Sequence, residues 1–468
     1  MRRSKLPKLQ SFLVGALLLF QFSSPCRALV EPEVEAWQEL VAAVEQSIPM
    51  FGSSLPSDAV QGVGNFASSM AYAPLSELME ELELRRDLKF KYFTPWHVKD
   101  KTALRFFIRK ALEKEYTPEK ALKEESLLKA LGLVPLDFQI VSFTEELLTD
   151  AVAGVYDPDT DQFFLVDMER GQGLKSKFIS KAGSMILGDM GSTVIIHELD
   201  HALGGQHFPL KSTFEELTKH STLDRRMAAM ALVEGDATFV MMDHQYKYDP
   251  KLAGSKTQVL GADYLTDMLD FLTKFPVPLP GMGKYSEAPL FFQKSLVFPY
   301  YSGAEFITRI RWGDGWNSVN DVYGELPVST EQIYHPSRYQ YLTAPAEIPD
   351  FSKIPEPFGL WETVTDDVGG EFLLRVVLEQ YGVEDFRVAA DGWNGDKIRV
   401  FRHKETGGLG FYWVIRWDNN IDAREFYQSL ASHLPFVVEQ EEHLTTISLA
   451  FTPKELKKLR DFLPFPKT

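Results

Sequence analysis

His197, Glu198 and His201 sit in the segment Thr193-Val-Ile-Ile-His197-Glu198-Leu-Asp-His201-Ala-Leu-Gly204-Gly-Gln-His207-Phe208. The two histidines are four apart, so on a helix they share a face and can hold one ion between them. Glu198 is turned about 100° from His197 by the helix period, which lets its carboxylate reach a water on that ion as general base. This His-Glu-x-x-His arrangement suits hydrolysis, in which an ion lowers the pKa of water and polarises the scissile carbonyl. Val194, Ile195, Ile196, Leu199 and Leu203 make the surrounding stretch apolar. Burying charge there without a partner is costly, which favours a metal site over a decorated helix face.

A catalytic zinc normally takes three protein ligands, and two residues compete for the third place. His207 completes His-Glu-x-x-His-x-x-Gly-x-x-His, the metzincin spacing, if Gly204 turns the chain so that the later histidine swings back. Glu234 interrupts a mostly apolar helix in Ala231-Leu-Val-Glu234-Gly-Asp236-Ala. An ionised carboxylate there needs a metal or a cation such as Arg225 or Arg226. An oxyanion donor must come from elsewhere. Tyr300, Tyr301, Tyr339 and His335 are candidates, and His335 is taken as the catalytic one. An extended peptide would add to an exposed edge strand, either Val152–Tyr156 or Gln162–Val166.

The elements that must position these residues point to an α+β fold. Apolar positions at three- and four-residue intervals predict helices over Val34–Ser47, Leu75–Leu88, Lys101–Glu115 and Glu119–Leu131. Phe138–Phe143, Val152–Tyr156 and Gln162–Val166 read as strands, the last two joined by Asp157-Pro-Asp-Thr-Asp161. A helix from about Ser184 to Leu203 would end at Gly204-Gly205, and a second runs from Leu223 to Gln245. Residues 273–290 read as a Pro/Gly-rich loop, with helices at Ala304–Arg311 and Asn317–Tyr323. Beyond a boundary in 340–365 the pattern is mixed. Helices are predicted over Glu371–Gln380, Ala423–His433 and Pro453–Phe462, and strands over Lys397–Arg402, Phe411–Trp417 and Thr445–Phe451. The expected organisation is a leader (1–28), an N-terminal helical region (29–135), a mostly helical core with a small sheet (136–350) and a C-terminal α+β domain (351–468).

The chain has 468 residues, with 49 Lys+Arg against 66 Asp+Glu and a net charge of −17. That balance argues against a phosphate-tracking nucleic-acid binder. Arg2, Arg3, Lys5 and Lys8, an apolar run from Phe12 to Phe22 and Ser-Pro-Cys26-Arg-Ala28 have the layout of a secretory signal peptide. Its removal takes five cations and the only cysteine, leaving 44 basic and 66 acidic residues, or −22. The expected mature protein is periplasmic or extracellular, without disulfides and without a membrane span. Asp157-x-Asp-x-Asp161 begins like a calcium loop, but Gln162 replaces the glycine and Met168 the final glutamate.

His197-Glu-Leu-Asp-His201, followed 33 residues later by Glu234-Gly-Asp-Ala, resembles the gluzincin type of metallopeptidase. More narrowly, the chain is similar to a group of exported bacterial proteins with His-Glu-Leu-x-His-Ala-Leu-x-x-Gln-His-Phe and Ala-Leu-Val-Glu-Gly-Asp-Ala segments. Phe298-Pro-Tyr300-Tyr-x-Gly303, Gly315-Trp316-x-x-Val-Asn320, Ser329-Thr-Glu-Gln-Ile-Tyr-His335-Pro and Gly392-Trp-x-Gly-Asp396 carry the likeness over roughly residues 85–430. The resemblance implies zinc as cofactor, His197, His201 and Glu234 as its ligands and Glu198 as base, acting on a peptide or protein substrate. That group leaves the position of Gly204 free, which marks the metzincin spacing as coincidental; a metzincin-type peptidase with His207 as third ligand stands as the rival within the enzyme class. Two departures stand out: the 33-residue gap is longer than in thermolysin-like enzymes, and Thr238 occupies the place of an acid that would orient a histidine. The rival expectation is a non-catalytic, zinc-stabilised binding or scaffold protein of the cell envelope.

Overall fold

A computed structural model describes residues 76–94, 96–151, 154–157, 162–167, 190–247, 285, 287–430 and 435–463. The leader, the helix Val34–Ser47, most of the Asp157–Asp161 turn and residues 273–284 of the Pro/Gly-rich loop lie outside them.

Helix α1 (76–86) leads through an irregular stretch to strand β1 (Trp96–Asp100) and helices α2 (Lys101–Glu115), α3 (Pro118–Ala130) and α4 (Ile140–Ala151). Thr117 caps α3 by accepting from the Lys120 amide, with Pro118 at the first helical position, where its missing N–H costs nothing. The segment expected as a strand at Phe138–Phe143 instead enters α4. Ile140, Leu147 and Leu148 are buried at helical spacing, and the rings of Phe138 and Phe143 pack on Phe292 at 5.3 and 4.8 Å. A six-residue apolar run carries no period of its own, so packing decided it.

Strands β2 (Gly154–Asp157) and β3 (Gln162–Asp167) complete a three-stranded sheet of order β1-β3-β2. β1 runs parallel to β3 and β2 antiparallel to it. Of the two candidate edge strands, Gln162–Val166 is therefore the central one, and β2 holds the edge beside the next helix. That helix, α5 (Met190–His207), passes through Gly204-Gly205 rather than stopping there. A glycine in a helix costs about 1 kcal/mol, and the burial of Ala202 and Leu203 together with the anchoring of Gln206 offsets it. Helices α6 (Leu210–His220), α7 (Leu223–Lys247), α8 (Leu290–Ile310), α9 (Trp316–Val322), α10 (Thr330–Tyr334) and α11 (Pro336–Gln340) follow. α7 packs between α5 and α8.

The C-terminal part adds β4 (Trp361–Asp367), α12 (Gly370–Gln380), α13 (Phe386–Ala390), β5 (Trp393–His403), β6 (Leu409–Trp417), α14 (Asn420–Leu430), β7 (Val437–Glu441), β8 (Leu444–Leu449) and α15 (Pro453–Phe462). Its sheet is antiparallel throughout, in the order β4-β5-β6-β8-β7. Alternation along β6 divides two cores. Phe411, Trp413 and Ile415 join the main core with Leu127 and Leu373, while Tyr412 and Val414 meet Phe351, Leu456 and Leu459 on the other face. The fold is α+β. Among the described residues no helix is long and apolar enough to cross a membrane.

Candidate metal centre

α5 presents His197 and His201 on one face, and α7 brings Glu234 against them. The ring nitrogens His197 Nε2 and His201 Nε2 lie 3.0 Å apart, and Glu234 Oε2 is 3.3 Å from the first and 3.4 Å from the second. All three residues are buried. An ion bonded tetrahedrally at about 2.0–2.1 Å holds its donors about 3.3–3.4 Å apart. The two edges to Glu234 match that spacing and the edge between the imidazoles is shorter by about 0.3 Å, and the group can hold a metal ion.

Electrostatics bind the three together. Burial disfavours the charged form of His197 and, despite the Glu234 carboxylate, pulls its pKa down to about 4. His201 suffers the same burial, but Glu234 beside it, with Glu198 and Asp200 near, lifts it to about 9. Burial also opposes the Glu234 charge, and the two imidazoles overcome this and hold it at about 2. Glu198, one residue after His197, is buried as well.

His207 does not join this group. Because α5 continues through Gly204, the His207 ring projects elsewhere and its Nε2 meets the Lys89 carbonyl oxygen at 2.7 Å. The segment Gln206-His207-Phe208 instead grips other parts of the chain. Gln206 Oε1 accepts from the Lys91 amide at 2.8 Å, its Nε2 donates to the Tyr92 carbonyl and Thr94 hydroxyl, both at 3.1 Å, and Phe208 stacks on Tyr323 at 4.0 Å. Arg226, offered as a partner for Glu234, bonds Glu124 and the Ser221 carbonyl.

His335 lies in a different cluster. Its Nε2 is 3.1 Å from Glu371, which also takes Arg375, and 3.6 Å from Asp391. None of its bonds runs to His197, His201 or Glu234. The conspicuous Ser329–Pro336 segment is a joint: Ser329 caps α10, and Thr330 donates to Asp224 at the start of α7 and accepts from the Phe372 amide. Tyr339 donates to the Glu325 carbonyl. Tyr300 is the aromatic candidate that reaches the triad, its ring lying 5.8 Å from that of His197 at an interplanar angle of 17°.

Gly235 explains how Tyr300 arrives there. A Cβ on Gly235 would lie 2.2 Å from the Gly303 carbonyl carbon, and one on Gly303 only 2.0 Å from the Ala231 oxygen. Two glycines thus let α7 and α8 touch backbone to backbone, one residue past Glu234. Asp236 faces away from the triad to Arg86 and Tyr323. Thr238 is buried, and its hydroxyl has no partner among the described residues.

Sequence reasoning missed Arg86. The signal was present: Met79, Leu82 and Arg86 share one face of α1, so a guanidinium sits on an apolar stripe, where all three are buried. Such a charge demands a buried acid.

A family model described as a domain of unknown function, DUF8575, matches residues 357–451, within the C-terminal part. No curated protein and no solved structure matches the chain.

Proposed function

We propose that this protein is an exported, zinc-dependent peptidase. The observation that carries the reading is the buried donor triangle of His197, His201 and Glu234, with a buried carboxylate, Glu198, next in the chain to the first ligand. Zinc bound there would supply Lewis acidity, activating a water and polarising a peptide carbonyl. Glu198 takes the proton from the attacking water and passes it to the departing amine, a role a purely structural site would not need. Tyr300 holds the plane of the His197 ring from one side. β2, with its outer edge unpaired among the described strands, offers backbone donors and acceptors to an extended peptide. The leader-like start supplies the route out of the cytoplasm.

The test pairs metal analysis with cleavage of a peptide library. The parent is expected to hold one zinc and to cut peptides. Glu198→Gln should keep the zinc and lose cleavage by about 100-fold or more. A parent that holds zinc but cuts no peptide sinks the peptidase reading and leaves a metal-stabilised binding or scaffold protein. A folded parent without zinc sinks both.

A further inference from the structure

One upstream segment, 76–94, touches both ligand-bearing helices on the sides away from the triad. Arg86 is 1 % exposed and lies against α7: its Nε and Nη2 both meet Asp236 at 3.0 Å. Tyr323 donates its hydroxyl to the same carboxylate at 2.8 Å. Glu234 and Asp236 are two apart, so about 200° separates them around the helix; the ligand meets the histidines while Asp236 is turned away from them towards Arg86 and Tyr323. The Arg86 guanidinium is further fixed by the Trp316 ring, 4.2 Å away, and the Trp316 Nε1 donates to the Arg85 carbonyl at 2.5 Å. Asp200 on α5, next to His201 and buried, lies within electrostatic reach of Arg86 and Asp236. A few residues on, the same segment is tied to the end of α5 through Gln206, and Lys91 Nζ donates to the Gln206 carbonyl at 2.6 Å.

We infer that residues 76–94 form a clamp on the metal centre, with Arg86 as a positioning residue that sets the spacing of α5 and α7 and so of His197, His201 and Glu234. The inference rests on the metal-binding part of the proposed function and is independent of peptide cleavage. Because the clamp acts through bonds to both helices, its loss loosens the donor triangle without removing a ligand. It also makes 76–94 an integral part of the centre rather than a removable prosegment.

The experiment separates positioning from stability in the full-length protein. Arg86→Met leaves Asp236 buried without its cation and should lower both the melting temperature and the zinc affinity. The double variant Arg86→Met/Asp236→Leu removes both charges, and buried pairs replaced in this way commonly regain stability. Zinc affinity by chelator competition should stay ~10-fold or more below the parent in the double variant, as for lost outer-shell partners elsewhere. The visible absorption of its cobalt-substituted form should shift. Gln206→Ala, which frees the strap without touching a charge, should also weaken zinc. A double variant with the parent's affinity and cobalt spectrum overturns the clamp, whatever its stability. A parent that binds no zinc overturns the metal reading beneath it.

Discussion

Without an ion, His201 carries a proton beside the Glu234 carboxylate 3.4 Å away, while burial leaves His197 neutral near pH 7. The Glu234 carboxylate holds His201 protonated up to about pH 9. An ion must take the place of that proton, because a ligating imidazole nitrogen has to be unprotonated. Zinc binding at pH 7 should therefore release about one proton, read by calorimetry in buffers of different ionisation enthalpy. Affinity should climb with pH and level off above about 9, where His201 has lost its proton in the free protein. In the same titration His207→Ala should bind zinc like the parent, since its ring bonds a backbone carbonyl, whereas Glu234→Ala should lose it. The triad was legible because the helix period alone puts His197 beside His201, and a lone acid in an apolar helix announces a need. Arg86 was not connected to Asp236, because 150 residues separate them and no local period links the two.

Helices α7 and α8 meet through two missing side chains. Gly235→Ala would drive a methyl to within 2.2 Å of the Gly303 carbonyl carbon, so the helices must part. Overpacking of this kind costs about 1–3 kcal/mol, and a denaturant titration should show it. The Tyr300 ring moves away from His197 with α8, so bound zinc should weaken too. The Glu-Gly-Asp triplet was visible in the sequence, yet its glycine is explained only by the neighbour it meets. Helix ends follow the same logic. The Gly204-Gly205 pair looks like a stop when read locally, and contacts far along the chain, from Gln206 to Lys91 and Tyr92, carry α5 past it. The ends of α2 and α15 were readable to the residue, since local period and, for α15, a Thr452–Glu455 capping box specify them without distant help.

At the scale of the whole molecule, buried acids gather where the start of α7 meets the C-terminal part. Asp224 accepts from the Thr330 amide and hydroxyl at 2.7 and 2.6 Å, and Asp396 accepts from the Gly369 and Gly370 amides and the Trp413 Nε1. Burial lifts the Asp224 carboxyl to about 8 against those donors, and Asp396 and Glu331 to about 7. The folded protein keeps these protons after the unfolded chain has released its own near pH 4. Their contribution to stability is thus complete below about pH 4 and is lost progressively as pH rises towards 8. Chemical denaturation of the metal-free protein should show less stability at pH 8 than at pH 5. Asp224→Asn, whose amide oxygen can still accept both Thr330 bonds, should flatten that slope. A parent with a flat or rising profile would contradict the assignment.

The start of α7 has a consequence for the order in which the molecule can be made. Its first amides find their acceptors far downstream: Leu223 N–H donates to Asp367 Oδ1 at 2.9 Å and Asp224 N–H to the Val368 carbonyl at 3.1 Å. Open helix ends need such partners. A chain synthesised from its N-terminus therefore exposes His197, His201 and Glu234 more than a hundred residues before the cap of the helix that carries Glu234 exists. Capture of an ion there would then be a closing event of maturation, waiting for the last quarter of the polypeptide. A nascent chain halted at residue 350 would display every ligand and still lack the cap that secures the third.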